Sequence, residues 1–297
     1  MTWMSAPVRR RFSLVVLPAL LAGCASLATP PAPVRTEVVV AVTASMELLT
    51  FNAGQPARIL QRTPITGLPA GDALVGIDYR VARGVLYALS QAGRLYTLDA
   101  RSGALQPVGA GASLALPQGA FGMDFNPTVD RIRVVGPGGL NLRLHPDTGA
   151  QVDGDAAQSG VQPDGALHYA AGDAQAGQRP DIVAAAYTYN TRNEQLTTNY
   201  AIDRRQGMLV MQGSLEGTVP VVSPNTGALR TVGALGVGPL ADAAFDISDV
   251  SNTALAVLRT GGQAPTRLYQ IDLASGRATA LGTVGDGAAL LGIAIAP

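Results

Sequence analysis

The sequence is poor in the residues that carry most enzyme chemistry. Among 297 residues there are one Trp, one Cys, two His and no Lys, so all 21 basic residues are arginine. The single Trp is Trp3, which leaves the remainder without the indole platforms of many sugar sites and excludes Trp-dependent blade repeats. One cysteine, Cys24, offers neither a disulfide nor a thiolate cluster for metal. His145 and His168 sit in no nucleophile motif, and no G-x-S-x-G elbow occurs. Charged residues make up 14% with a formal net charge of zero, which gives nucleic acid no basic footprint.

What is abundant is a short refrain of strand, tight turn and strand. It is clearest around Leu98–Gly103 (LDARSG) and returns at Leu144–Gly149 (LHPDTG), Ile202–Gly207 (IDRRQG), Val222–Gly227 (VSPNTG) and Ile271–Gly276 (IDLASG), with a degenerate copy at Leu49–Gly54. Apolar and polar residues alternate before each turn, an acceptor side chain opens most copies, and the closing Gly supplies positive φ. Strand-type repeats about 40–50 residues apart point to a propeller or another closed array.

A second motif alternates with the refrain: Gly76-Ile77-Asp78-Tyr79, Gly122-Met123-Asp124-Phe125, Ala166-Leu167-His168-Tyr169, Ala244-Phe245-Asp246-Ile247 and Gly292-Ile293-Ala294-Ile295. Each places a small residue and the third-position residue on one strand face and two large apolar residues on the other. These tetrapeptides are expected to be the innermost strands of five blades. Second strands follow at 85–89, 132–135, 182–189 and 254–258. The last tetrapeptide has no strands after it, whereas three strands (38–42, 46–51 and 57–61) precede the first. A ring closed by strands from both ends removes the exposed sheet edge. The expected fold is therefore all-β, a β-propeller of five four-stranded blades over residues 36–297. The copy at Gly227 follows Gly207 too closely for a full blade, so 208–235 reads as an elaborated outer edge of blade four; a hidden degenerate blade there would make six.

The N-terminal stretch is a separate object. Arg9, Arg10 and Arg11 precede an apolar run, Phe12–Leu20, and then Leu21-Ala22-Gly23-Cys24. This pattern is expected to be a lipoprotein signal peptide over 1–23, with Cys24 lipidated after cleavage. The apolar run is too short for a permanent span. Residues 24–35 carry Pro30, Pro31 and Pro33 and read as a tether of about 3.1 Å per residue. Ala25 and Ser26 after the cysteine offer no aspartate of the inner-membrane retention kind. The expected address is the bacterial envelope, anchored through Cys24 to the outer membrane and facing the periplasm, with a monomeric domain.

Several segments resemble a known family. Phe121–Val135 (FGMDFNPTVDRIRVV), Gly139–Arg143, Pro146–Gly149, Tyr169–Asp173, Val183–Tyr187 (VAAAY), Ser223–Gly236 (SPNTGALRTVGALG) and Phe245–Ser248 are similar to a bacterial secreted family, domain of unknown function 4394. The resemblance spans nearly everything after the tether. It implies a propeller-like all-β domain and carries over no activity.

Candidate site residues follow from the inner motif. Its third positions are Asp78, Asp124, His168, Asp246 and Ala294, which a closed ring brings toward one centre. Asp78, Asp124 and Asp246 would supply oxygen ligands to a hard cation such as Ca²⁺. Alternatively, each accepts hydrogen bonds from backbone amides of the adjoining blade or pairs with an arginine. Arg131 and Arg133, two apart on one strand face, would bind a carboxylate or phosphate, or neutralise Asp124 or Asp147. Asp153-Gly154-Asp155 opens like a calcium loop but lacks the later ligands. Tyr187 and Tyr189 share a strand face and would line a pocket or pack in the core. The reading is a non-catalytic module that binds a protein or small ligand and needs no cofactor; the alternative is a Ca²⁺-dependent, lactonase-like hydrolase with a central acidic site.

Overall fold

The computed structural model describes residues 1–4, 32–110 and 114–297. Cys24, the apolar run before it and the first part of the tether lie outside the described residues. Contacts divide the chain at Pro31, and the unit from Ala32 to Pro297 is the folded domain. Among the described residues no helix is long and apolar enough to cross a membrane.

The domain is a β-propeller of five blades. The chain enters through β1 (Val38–Thr43), β2 (Glu47–Asn52) and β3 (Ile59–Pro64). The second blade is β4 (Leu74–Arg80), β5 (Val85–Ser90), β6 (Leu95–Leu98) and β7 (Leu105–Pro107). The third is β8 (Gly122–Asn126), β9 (Arg131–Gly136) and β10 (Leu140–Leu144), with an isolated bridge from Leu144 to Gln151 standing for its outer strand. A short β11 (His168–Tyr169) then leads to the fourth blade, β12 (Ile182–Tyr187), β13 (Asn199–Asp203), β14 (Met208–Gln212) and β15 (Ala228–Ala234). The fifth is β16 (Asp242–Ile247), β17 (Ala254–Arg259), β18 (Arg267–Ile271) and β19 (Ala278–Thr283). Finally β20 (Leu290–Ile295) pairs antiparallel with β1 and becomes the innermost strand of the first blade, closing the ring as expected. The outer strand β3 runs a few residues later than the expected 57–61 because Gln55–Arg58 forms a turn.

The refrain builds its turns as its chemistry dictates. Asp99 Oδ1 accepts from the Arg101 and Ser102 N–H groups at 2.9 and 2.8 Å, and Gly103 follows at φ +71°. A Cβ on Gly103 would also meet the Pro64 carbonyl at 2.2 Å, so this position demands glycine twice over. His145 serves the Asp99 role in its own copy, its Nδ1 accepting from the Asp147 N–H at 3.2 Å.

The fourth blade corrects the sequence reading. Ala166–Tyr169 is not its inner strand. His168–Tyr169 runs parallel to β15 at the outer edge of the blade, and His168 is exposed. The innermost strand is Ile182–Tyr187, expected as the second, and its Ala184-Ala185-Ala186-Tyr187 takes the tetrapeptide's place. The motif misled because the link into this blade repeats a small, apolar, polar, aromatic order. The copy at Gly227 is the turn before the outer strand β15, so 208–235 holds the last two strands of blade four and the described residues form no sixth blade.

Apolar clusters fill the spaces between blades. Large residues at tetrapeptide positions two and four face the preceding blade: Ile77 and Tyr79 pack on β1 and β2, Met123 and Phe125 on β5 and β6, and Phe245 and Ile247 on β12 and β13. The small first position lets inner strands converge on the axis. A Cβ on Gly122 would lie 2.4 Å from the Ala185 nitrogen.

Candidate functional site

Convergence of the five inner strands creates the site. Each strand ends its tetrapeptide at Tyr79, Phe125, Tyr187, Ile247 or Ile295, and all five residues line one cavity of about 340 Å³. The N–H groups of the same five residues point toward the axis, where an inner strand has no further strand to pair with. Three buried aspartates at position three satisfy them. Asp78 accepts from its own blade's Tyr79 N–H and from Phe125 of the next blade, both at 2.7 Å. Asp246 accepts from Ile247 at 2.6 Å and from Ile295 of the next blade at 2.5 Å. Asp124 accepts from Tyr187 of the next blade at 2.8 Å.

This arrangement follows a simple rule. An aspartate reaches its own following N–H only where the preceding blade offers none, since Ala294 precedes Asp78 and Ala186 precedes Asp246. Three carboxyl groups thus serve five amides, and one oxygen of Asp124 receives no amide. The backbone-clasp alternative is therefore realised, and its blade-to-blade bonds tie neighbouring inner strands together.

The same three groups also form a dense acidic cluster. One oxygen from each lies within 4.8 Å of the others, an arrangement able to hold a metal ion. Burial is the main force pushing all three up, and mutual repulsion adds to it for Asp78 and Asp124. Asp246 is pushed up to about 7, while Asp78 and Asp124 rise well above the usual carboxylate range. Asp78 and Asp124 are neighbours in this cluster, and each raises the cost of charging the group beside it.

Around this floor the cavity remains acidic. Asp249 and Glu194 stand at its rim, and burial raises Asp249 as well. Its basic residue, Arg80, is committed elsewhere: the guanidinium bonds Asp130, Asp147 (2.6 Å) and the Tyr87 hydroxyl (3.3 Å). Tyr187 and Tyr189 both line the wall. Position in sequence gave no sign of Arg80, Glu194 or Asp249; only closure of the ring brings the loops after the inner strands to one mouth.

The two arginines part company. Arg133 is 1% exposed and bonds Asp164, Asn141, Asn225 and the Tyr187 hydroxyl. It neutralises neither Asp124 nor Asp147, because Asp147 is taken by Arg80 and Arg83. Among the described residues the Arg131 guanidinium bonds only the backbone carbonyls of Val129 and Asp130. His168, expected in the inner ring, has its Nδ1 against the Ala166 carbonyl at 2.9 Å, away from the cavity. Asp153 and Asp155 accept from backbone N–H groups within their own loop, Asp153 from Asp155 and Gln162 and Asp155 from Ala157.

The model of one family, domain of unknown function 4394, matches residues 47–294. The chain belongs to that family. Its matched span contains all three aspartates and four whole blades of this 4394 propeller. No curated protein matches. Similar solved structures include a nidogen/laminin complex chain (11% identity, 88% of this chain and 98% of that one, TM-score 0.47). Others are glutaminyl cyclase from Myxococcus xanthus (13%, 81% and 97%, 0.42) and TolB from Acinetobacter baumannii (10%, 83% and 52%, 0.43).

Proposed function

We propose that this protein is an envelope-anchored binding module, lipidated at Cys24, whose ligand enters the acid-floored cavity and presents a positive charge there. The observation that carries the reading is the balance of charge at the axis. Three buried carboxyls stand within reach of one ion, no basic side chain among the described residues pairs with them, and one oxygen of Asp124 is free of backbone bonds. Burying such a cluster is costly unless protons or a cation neutralise it. A cation competes with the protons that burial favours on these carboxyls, so binding tightens as pH rises.

Binding rather than catalysis fits the side chains present. Neither histidine lines the cavity, and five of the six aspartate oxygens already hold the backbone. The proximity of the three carboxylates also favours the second reading, a Ca²⁺-dependent hydrolase, in which the ion would polarise a substrate or its water.

The test uses residues 25–297 without lipid. Calcium is measured by elemental analysis, and melting temperature is followed with EDTA, with Ca²⁺ and across pH. Ca²⁺ should raise the melting temperature of the native protein at pH 8 more than at pH 5, and should leave Asp124→Asn unmoved. No bound ion and no Ca²⁺ response at either pH would overturn the cation reading and the hydrolase together. A Ca²⁺ response accompanied by lactone hydrolysis would replace the binding module with the second reading.

A further inference from the structure

A second cavity, of about 480 Å³, opens between the third and fourth blades. Its size falls within the roughly 300–1,000 Å³ of small-ligand sites. It is separate in chemistry from the acidic centre, and two residues of its lining, one from each blade, carry unspent polar groups.

The first is Arg131, at the start of β9. Its guanidinium meets only the carbonyls of Val129 (3.4 Å) and Asp130 (2.9 Å) and pairs with no described carboxylate. Neighbouring Arg143 is spent on both oxygens of Asp164. Arg131 is thus the cation of this cleft that still has its carboxylate-binding edge.

The second is Asn199, on β13. It is 2% exposed, it belongs to the cleft's lining, and its Oδ1 is a buried acceptor with no hydrogen-bond partner among the described residues, so a small shift of the wall must open it to a ligand. Its orientation is fixed by the network behind it. Asn199 Nδ2 donates to Gln212 Oε1 at 3.1 Å, and Gln212 Nε2 donates to Asn141 Oδ1 at 3.0 Å and to the Pro224 carbonyl at 2.7 Å. Turning the Asn199 amide over would set two acceptors against each other, so Oδ1 stays unpaired and calls for an N–H donor. Leu215 and Val221, both exposed, add apolar wall at the mouth.

A ligand that satisfies this cleft carries a carboxylate, an N–H and an apolar side chain. We propose that it binds an N-acylated apolar amino acid, either free or as the C-terminal residue of a peptide, with its carboxylate on Arg131 and its amide N–H donated to Asn199 Oδ1. The loop between β14 and β15 supplies the apolar wall, which gives a use to the elaborated edge of this blade.

The test is calorimetric titration of residues 25–297 with N-acetyl-leucine, N-acetyl-leucinamide and an acetylated tripeptide ending in leucine. The free acid should bind saturably, and the amide at least about tenfold more weakly. Arg131→Gln, a half-exposed position, should lose the preference for the acid, and Asn199→Asp, of the same shape, should weaken the acid further by adding a like charge. Tighter binding of the tripeptide identifies a peptide end as the ligand, and equal binding identifies the free acyl amino acid. Absence of saturable binding up to about 10 mM, or an Arg131→Gln protein that still prefers the acid, overturns the proposal whatever the outcome at the acidic centre.

Discussion

The interface between blades three and four and the one between blades four and five are solved by opposite chemistry. Between four and five, Val183, Ala186, Tyr200 and Leu209 meet Phe245, Ile247, Ala256 and Tyr269 in an apolar cluster, and no aspartate clasps the inner strands because Ala186 stands at position three. Between three and four the apolar cluster is small, with Val135 as its contribution from β8–β10. The space is filled instead by Arg133, Asp164, Asn141, Asn225, Asn199 and Gln212, and Asp124 clasps Tyr187 at the axis. Arg133 sits opposite Asp124 in the sheet, where the second blade has Tyr87 opposite Asp78 and the fifth has Leu255 opposite Asp246. One residue choice thus converts an interlocked apolar contact into a directional network. Side chains held by hydrogen bonds at fixed angles do not fill space as methyl groups do, and the larger cleft opens at the polar interface.

Breaking the network should give the largest effect. Arg133→Leu leaves Asp164 buried with Arg143 as its remaining cation and orphans Asn225, so it should cost about 3–5 kcal/mol in denaturant unfolding. Adding Asp164→Leu should recover part of that loss if the polar interface can be rebuilt as an apolar one. The axial clasp comes next. Because Asp78, Asp124 and Asp246 titrate above an ordinary aspartate in the folded state, the stability they contribute is complete below about pH 4. It is lost as pH rises through about 7 for Asp246 and through the likewise raised range of the other two. Asp124→Asn keeps the acceptor for Tyr187 and removes one buried charge from beside Asp78, so in EDTA it should be more stable than the native protein at pH 8 by about 1–2 kcal/mol, with the gap closing toward pH 4. Melting curves of the two proteins across pH measure that difference.

The apolar interface should absorb a change of shape more readily. Phe245→Leu should cost about 1 kcal/mol, because its neighbours are methyl-bearing groups that repack. Smallest of all, His168→Ala should change stability by no more than about 0.5 kcal/mol, since the side chain is exposed and bonds only a nearby carbonyl.

Much of the fold was legible because it repeats. Five rounds of strand alternation, the Asp and Gly of each turn, and the complementary strands at the two ends announced a closed five-blade ring. The reading failed at blade four, where Ala184-Ala185-Ala186-Tyr187 carries neither the Gly nor the Asp of its siblings and a decoy at Ala166–Tyr169 offered a better match. Two particulars could have exposed the decoy: the refrain turns twice in this stretch, at Gly207 and again at Gly227, and VAAAY has the small residues an inner strand needs. Asp78, Asp124 and Asp246 were legible as a set; whether they faced a ligand or the backbone was not, since that depends on which amides the next blade presents.

By itself the sequence determined the strand period, the turn chemistry, the family and the three axial acids, because these are encoded within a few neighbouring residues. Tertiary structure alone decided that five amides share three carboxyls, that Arg133 is entombed while Arg131 is free, and that Asn199 keeps an unpaired oxygen. Those outcomes depend on atoms brought together from blades far apart in the chain, and hydrogen-bond geometry and burial, which set their energies, exist only once the ring has closed.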